Sequence, residues 1–128
     1  SQLSITGANG GTTISVTESA GDVVVTEGGS PTTFTVNFEA LSVAGGTGAD
    51  TITVGDNLPD GIATISVDGG AGNDTITGGN ENETILGGDG NDSIDAGAGN
   101  DRVYPGTGND DVHGGAGKAV WLALARPD

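Results

Sequence analysis

The chain has 128 residues, 26 of them glycine, with a formal net charge of −15 at pH 7 and no cysteine. The acidic excess argues against nucleic-acid binding, which begins with a basic patch, and the lack of cysteine excludes disulfides and thiolate metal sites. No stretch is long and apolar enough to span a membrane as a helix, and there is no strong amphipathic helix pattern. The length predicts one small domain, or a fragment of a larger protein.

Residues 1–44 contain segments in which Thr alternates with Val or Ile, and this alternation is typical of β-strands. Ile5, Ile14 and Val23 lie nine residues apart, the same spacing as in the repeats that follow. Because acidic turn residues are absent, we expect degenerate, metal-free solenoid coils that cap the N-terminal end. A separate antiparallel β module remains an alternative, because residues 27–38 would also suit a hairpin.

A nine-residue repeat begins at Gly45 and organises the rest of the chain. In register, the blocks read GGTGADTIT at 45–53, then GGAGNDTIT, GGNENETIL, GGDGNDSID, AGAGNDRVY and PGTGNDDVH at 69–113. Position 2 is glycine, position 6 is acidic and position 8 is a branched aliphatic residue in every block. Residues 54–68 number fifteen instead of nine, and we interpret them as one degenerate block with a long loop at 54–64.

The composition of a block predicts its conformation. Glycines at positions 1, 2 and 4 permit positive φ angles, which a tight turn needs. The last three residues form a minimal strand whose middle side chain points inward. Two blocks then make one coil, so that position-6 carboxylates of alternate turns stack among turn carbonyls. Calcium prefers about 6 to 8 oxygen ligands of this kind, and we predict an all-β parallel solenoid with calcium at its turns.

Alternate blocks share an edge of this solenoid. The acidic residues of the first edge are Asp50, Asp74, Asp92 and Asp110, and those of the second edge are Glu83 and Asp101. The best pairs join Asp92 to its neighbours on the first edge, each 18 residues away. The pairing of Asp50 with Asp74 requires the long block to keep the coil in register. On the second edge Glu81 replaces the position-4 glycine, and we expect a weaker site there.

The block after residue 113, GGAGKAVWL, has Lys118 at position 5 and Ala119 at position 6. With one carboxylate and a nearby ammonium group, the metal array is expected to end here. Trp121 takes the inward aliphatic position. We therefore divide the chain into an N-terminal part at 1–44, a calcium-binding roll at 45–117, and a capping segment at 118–128. The abrupt end suggests that the native protein continues.

His113 is the only histidine and falls at an outward strand position, where we interpret it as a surface residue. A zinc site would have to use carboxylates alone beside it. A Ser-His-Asp triad would have to use the same residue, and nothing near it resembles a nucleophile turn. No enzymatic activity is expected from these residues.

The full blocks at 45–53 and 69–113 resemble the RTX (repeats-in-toxin) family of secreted bacterial proteins, whose calcium-binding nonapeptide is GGxGxDxUx. The resemblance implies a right-handed parallel β-roll in which the position-6 acids and turn carbonyls bind calcium. The carbonyls so implied belong to Gly45, Gly46, Thr47, Gly48, Gly69, Gly70, Ala71, Gly72, Gly87, Gly88, Asp89, Gly90, Gly97, Gly99, Gly106 and Gly108.

The expected function is a module of a secreted bacterial protein that folds and is stabilised on binding Ca²⁺, with about three to five ions. The resemblance implies export by type I secretion machinery, a location outside the cell or at its surface, and other domains of a larger parent protein as partners. The alternative is a structural or adhesive extender of a large adhesin or surface-layer protein. Ice binding is disfavoured, because Ala71, Asp89 and Ala98 interrupt the row of outward threonines at one turn position.

Overall fold

The computed structural model describes residues 2–7, 10–19, 22–27, 30–34, 40–56, 58, 62 and 64–121. Every regular element in this part of the chain is a β-strand. The strands before the repeats are β1 (Gln2–Thr6), β2 (Thr13–Ser19), β3 (Asp22–Glu27) and β4 (Ser30–Phe34). None of the described segments forms a helix able to cross a membrane.

The repeat region supplies the remaining strands. They are β5 (Ala40–Thr47), β6 (Thr51–Val54), β7 (Thr64–Ala71), β8 (Thr75–Thr77), β9 (Glu83–Asp89), β10 (Ser93–Asp95), β11 (Ala98–Gly99), β12 (Arg102–Thr107), β13 (Asp111–His113), β14 (Ala116–Gly117) and β15 (Val120–Trp121). They form two main sheets, ordered β1-β5-β7-β9-β12-β15 and β13-β10-β8-β6-β2-β3-β4, and a small pair β11-β14.

Parallel pairing between successive coils follows the predicted period. Ile76 lies opposite Ile94, and Ile94 opposite Val112, each 18 residues further along the chain. Ile85 lies opposite Val103 in the other sheet with the same separation. The prediction of an all-β parallel roll with two blocks per coil is therefore confirmed.

The core is a row of aliphatic side chains enclosed between the two sheets. In β8 and β10 the three residues are exposed, buried and exposed in turn, as the alternation of a strand requires. The buried position-8 side chains are Ile52, Ile76, Ile85, Ile94 and Val103. The backbone of Trp121 pairs with that of Val103, and the predicted inward position of its side chain lies outside what the structure describes.

The long block keeps the coils in register. Thr51 pairs with Thr75, and Gly46 with Gly70, so this coil holds 24 residues instead of 18. Leu58 packs into the hydrophobic core from the loop. Its backbone N–H donates to Glu81 Oε1 at 3.1 Å, which ties the loop to the turn of the following coil.

The N-terminal strands are of two kinds. β1 and β2 pair in parallel with β5 and β6, where Ile5 lies opposite Val43 and Ile14 opposite Ile52. These pairs join residues 38 positions apart. β3 and β4 fill part of that interval and extend the seven-stranded sheet in antiparallel fashion. The division of the chain at residues 44 and 117 stays a prediction.

Candidate metal sites

The position-6 acids of the first edge stack on one another through the backbone. The N–H of Asp50 donates to Asp74 Oδ1 at 2.8 Å, and the N–H of Asp74 donates to Asp92 Oδ1 at 2.9 Å. Asp110 Oδ1 accepts from the N–H of Asp92 at 3.0 Å. Each carboxylate thus bridges to the coil before it, and the sequence-predicted acids of this edge come together in chain order.

The stack of position-6 residues on the first edge, which we call the carboxylate column, meets an N-terminal coil that has no acid at this position. The N–H of Thr12 donates to Asp50 Oδ1 at 2.5 Å, so Thr12 occupies the place of a position-6 residue in the N-terminal coil. That position lies two residues before Ile14, and the nine-residue spacing of Ile5 and Ile14 was the sequence signal that could have located it. The carboxylate column therefore begins at Asp50.

In three of the first-edge acids the second carboxylate oxygen is buried and has no partner among the described residues. Among the described residues, no hydrogen-bond donor reaches Oδ2 of Asp50, Asp74 or Asp92. A buried carboxylate oxygen without a donor is costly, because it has lost its hydration and gained nothing in exchange. The arrangement is one that a bound cation would satisfy.

Position-1 glycines provide the space around these oxygens. A Cβ built on Gly69 would lie 2.5 Å from Asp74 Oδ2 and 2.6 Å from the carbonyl oxygen of Gly87. On Gly87 it would lie 2.6 Å from Asp92 Oδ2. A side chain at either position would fill the cradle between the carboxylate and the carbonyl of the next coil.

Position-2 glycines meet a different requirement. Gly70, Gly88 and Gly106 have φ angles of 103°, 110° and 98°, in the left-handed region. A Cβ on Gly88 would also collide with the carbonyl oxygen of Gly70 in the preceding coil. The turn carbonyls therefore form close-packed columns beside the carboxylates, and only glycine fits between them.

The second edge changes character along the roll. Leu41 lies opposite Ile65, and Ile65 lies opposite Glu83, which bonds through its N–H to Asp101 Oδ1 at 3.0 Å. The residues at this register position are apolar in the early coils and acidic in the later ones. Glu83 therefore sits between a hydrophobic neighbour and a second carboxylate.

Glu83 is the most perturbed acid of the described part. Burial, and then the negative charge of Asp101, raise its pKa from 4.5 to about 8. Both of its carboxylate oxygens and Asp101 Oδ2 are buried, and no donor among the described residues reaches any of the three. On the first edge, burial raises the pKa of Asp74 and Asp92, neighbouring carboxylates raise it further, and bonds from backbone N–H groups oppose both effects.

Glu81 does not join this pair. Its Oε1 accepts from the N–H of Leu58, and its Oε2 accepts from the N–H of Asn80 at 3.2 Å. The carboxylate that replaces the position-4 glycine is thus used to hold the long loop. The lower affinity expected of the Glu83–Asp101 site stays a prediction.

A ladder of asparagines at position 5 was missed by the sequence reasoning. Asn73 Oδ1 accepts from the N–H of Asn91, and Asn91 Oδ1 from the N–H of Asn109, both at 2.9 Å. Asn82 and Asn100 are joined in the same way on the second edge at 2.7 Å. The signal was present, because asparagine fills position 5 of all five blocks in 69–113.

The donor set fits calcium. It consists of carboxylate and carbonyl oxygens, the ligands that this hard cation prefers. Across the part of the chain that the structure describes, no three His, Cys, Asp or Glu side chains come close enough to hold a metal by themselves. A cation at these turns would therefore take much of its coordination from the backbone, and glycine-rich turns make those carbonyls accessible.

The comparisons with known proteins agree with this geometry. The sequence model of the RTX calcium-binding nonapeptide repeat (4 copies) matches residues 42–57, 66–93 and 77–112. No curated protein and no solved structure gave a match. The repeat region of this chain belongs to the family of RTX calcium-binding nonapeptide repeats, which is a structural and non-catalytic module.

Proposed function

We propose that this chain is a calcium-dependent folding and stabilising module of a secreted bacterial protein. The observation that carries the proposal is the column of buried carboxylate oxygens at the turns, which lack any donor among the described residues. Each lies in a glycine cradle beside the carbonyl of the next coil. Calcium would supply the missing partner for each of them.

The electrostatics explain why folding should depend on the ion. Stacked carboxylates repel one another, and the chain carries a formal charge of −15. In the described part of the chain, four carboxylate pairs are bridged through backbone N–H groups, three on the first edge and one on the second. One ion per pair agrees with the expected three to five. Since the paired sites exist only in the folded coil, the free energy of binding becomes free energy of folding.

A calcium titration of the far-UV circular dichroism signal, started in EDTA and repeated with magnesium, tests the proposal. We expect a cooperative transition from coil to β-structure with calcium alone, because magnesium demands near-ideal octahedral geometry and gives up water reluctantly. A chain that is fully β-structured in EDTA and unchanged by calcium would overturn the proposal.

Secretion and an extracellular location are the finer part of the proposal. They are supported by the occurrence of RTX repeats in secreted bacterial proteins. If folding is to wait until export, the calcium midpoint must lie far above cytosolic levels, on the order of 10⁻⁴ to 10⁻³ M as in extracellular calcium modules. A submicromolar midpoint would allow folding inside the cell and would contradict this part.

A further inference from the structure

A groove of about 470 Å³ lies on the outer face of the six-stranded sheet, beside the turns that follow its strands. Its floor is the row Gly70, Gly88 and Gly106, which are register partners in β7, β9 and β12. Glycine has no side chain, so this row is a trough between the side chains that precede and follow it. With strands about 4.8 Å apart, three coils give a trough roughly 10 Å long.

The two walls of the groove differ in chemistry. The wall before the glycines is the register row Asp68, Leu86 and Tyr104. The opposite wall has Asp89 and Thr107, where the Thr107 hydroxyl donates to Asp89 Oδ1 at 2.9 Å. Asp68 and Asp89 are exposed, and Leu86 keeps 37% of its surface accessible.

None of these side chains is used by the carboxylate column. Position-6 oxygens face the inside of each turn, whereas the wall side chains are at positions 9 and 3 and line the outer surface. Within the lining of the groove, Leu86 and Tyr104 form an apolar strip beside glycines, one threonine and two acids. Neither residue of the strip belongs to the aliphatic core.

The charge of the lining specifies the occupant. The described residues that line the groove include two carboxylates and no basic side chain, on a chain with a formal charge of −15. Tyrosine attracts a guanidinium over its ring face, leucine packs against the aliphatic stem of an arginine, and carboxylates accept paired hydrogen bonds from the guanidinium fork. We propose that the groove binds an arginine side chain from a basic segment of a partner protein, drawn in by the negative field of the roll.

Calcium would control access to this surface if the proposed function holds. Asp89 and Gly88 belong to the same turn as Asp92, so the groove is assembled only when that turn is folded. The negative charges of Asp68 and Asp89 reach Asp74 and Asp92, so calcium at the turns would weaken their field, but both side chains stay exposed on the outer face. The partner would therefore meet a formed, acidic groove only after the module has folded.

The test is an NMR titration of the full ¹⁵N-labelled chain in saturating calcium with a short synthetic peptide that alternates arginine and leucine. We expect saturable shifts centred on Leu86, Tyr104 and their neighbours. Tyr104→Ala should weaken binding about threefold to tenfold, and Asp68→Asn should weaken it as well. Circular dichroism in calcium checks that each variant folds, and Asp68→Asn tests the groove even if Tyr104→Ala does not fold.

The matched control is Asp111→Asn, which removes the same charge from an exposed residue in β13 of the other sheet. It should change affinity less than twofold. Equal losses of affinity for Asp68→Asn and Asp111→Asn would show that the interaction is only a diffuse electrostatic attraction, and would overturn the proposed binding site in the groove. Binding of a neutral oligosaccharide such as maltotetraose at the groove, with no binding of the peptide, would overturn the arginine assignment. If the chain proves folded in EDTA, the titration is repeated there, so the groove is tested independently of calcium-dependent folding.

Discussion

At the scale of single residues, each turn combines an acid whose buried oxygen a cation would satisfy with glycines that leave space beside that oxygen. Asp92, like Asp74, is bonded to an acid on each side, because its N–H donates to Asp110 and its carboxylate accepts from the N–H of Asp74. Its second oxygen is buried and has no donor in the described part of the chain. One side chain thus belongs to two successive carboxylate pairs.

Replacing Asp92 with Asn should raise the calcium midpoint of folding on the order of tenfold, because two sites each lose a charged ligand. The amide oxygen can still accept the bond from Asp74, so the effect isolates the lost charge. Asp111→Asn, on an exposed strand position, is the charge-matched control and should shift the midpoint little. Equal shifts in the two calcium titrations would show that net charge, and not ligation, governs folding.

Alanine substitutions at Gly88 and Gly10 distinguish the cost of backbone strain from the cost of a steric collision. Both have φ in the left-handed region, at 110° and 101°, but a Cβ on Gly10 meets no atom within 4 Å. Gly10→Ala should therefore cost only the conformational penalty of about 1–2 kcal/mol. Gly88→Ala should cost clearly more, because its Cβ would collide with the carbonyl of Gly70.

Urea denaturation of both variants in saturating calcium measures this difference. If Gly10→Ala and Gly88→Ala lose the same free energy of unfolding, the carbonyl column is not tightly packed and the collision argument is wrong.

At the scale of the elements, coils are joined by ladders that run along the solenoid axis. Backbone pairing joins the strands, aspartates join the turn interiors, and asparagines join the turn exteriors. The two side-chain ladders run in opposite directions. Each aspartate accepts from the preceding coil, whereas each asparagine accepts from the following one. Neighbouring turns are therefore held from both sides.

Asn91→Ala should lower the free energy of unfolding by about 1 kcal/mol, the net value of one hydrogen bond. The N–H of Asn109 would lose its acceptor but would remain near solvent, so the penalty should stay small. Asn80→Ala is a suitable control, because Asn80 takes no part in the asparagine ladder. Chemical denaturation in calcium compares the two variants, and a loss no larger in Asn91→Ala would show that the ladder adds no stability.

At the scale of the whole molecule, buried acids make the calcium-free fold sensitive to pH. Glu83, Asp74 and Asp92 all have raised pKa values, with Glu83 at about 8. The folded state then binds protons more tightly than the unfolded state. The stability they contribute is complete below their ordinary pKa values and is lost as pH rises through their raised pKa values, which for Glu83 is about 8.

In EDTA, lowering the pH from about 8.5 to about 5 should increase β-structure, because the folded chain takes up protons in this range. With calcium present the opposite trend is expected for affinity, since protons compete for the same oxygens. Circular dichroism at a series of pH values, with and without calcium, measures both. A β-content in EDTA that grows as pH rises would contradict the assignment of buried, unpaired acids.

The repeat alone was enough to predict the regular part of the molecule. A fixed nine-residue spacing of glycine, acid and aliphatic residue repeats the same local conformation, so the two-block coil, the sheet faces and the two edges follow from phase. The core row through Ile76, Ile85 and Ile94 was therefore accessible from the sequence. The asparagine ladder was also encoded at position 5, although its bonds become visible only when coils stack.

Only the tertiary structure shows how the chain pairs where the nine-residue spacing is interrupted. Ile5 pairs with Val43 and Thr51 with Thr75, so the 38- and 24-residue coils keep the register of the shorter ones. Local sequence cannot specify a pairing across an insertion. The same holds for Thr12 under Asp50, for Glu81 at the loop, and for the groove above the glycine row. Each is a contact between coils, which depends on the alignment of distant segments and not on the residues within one block.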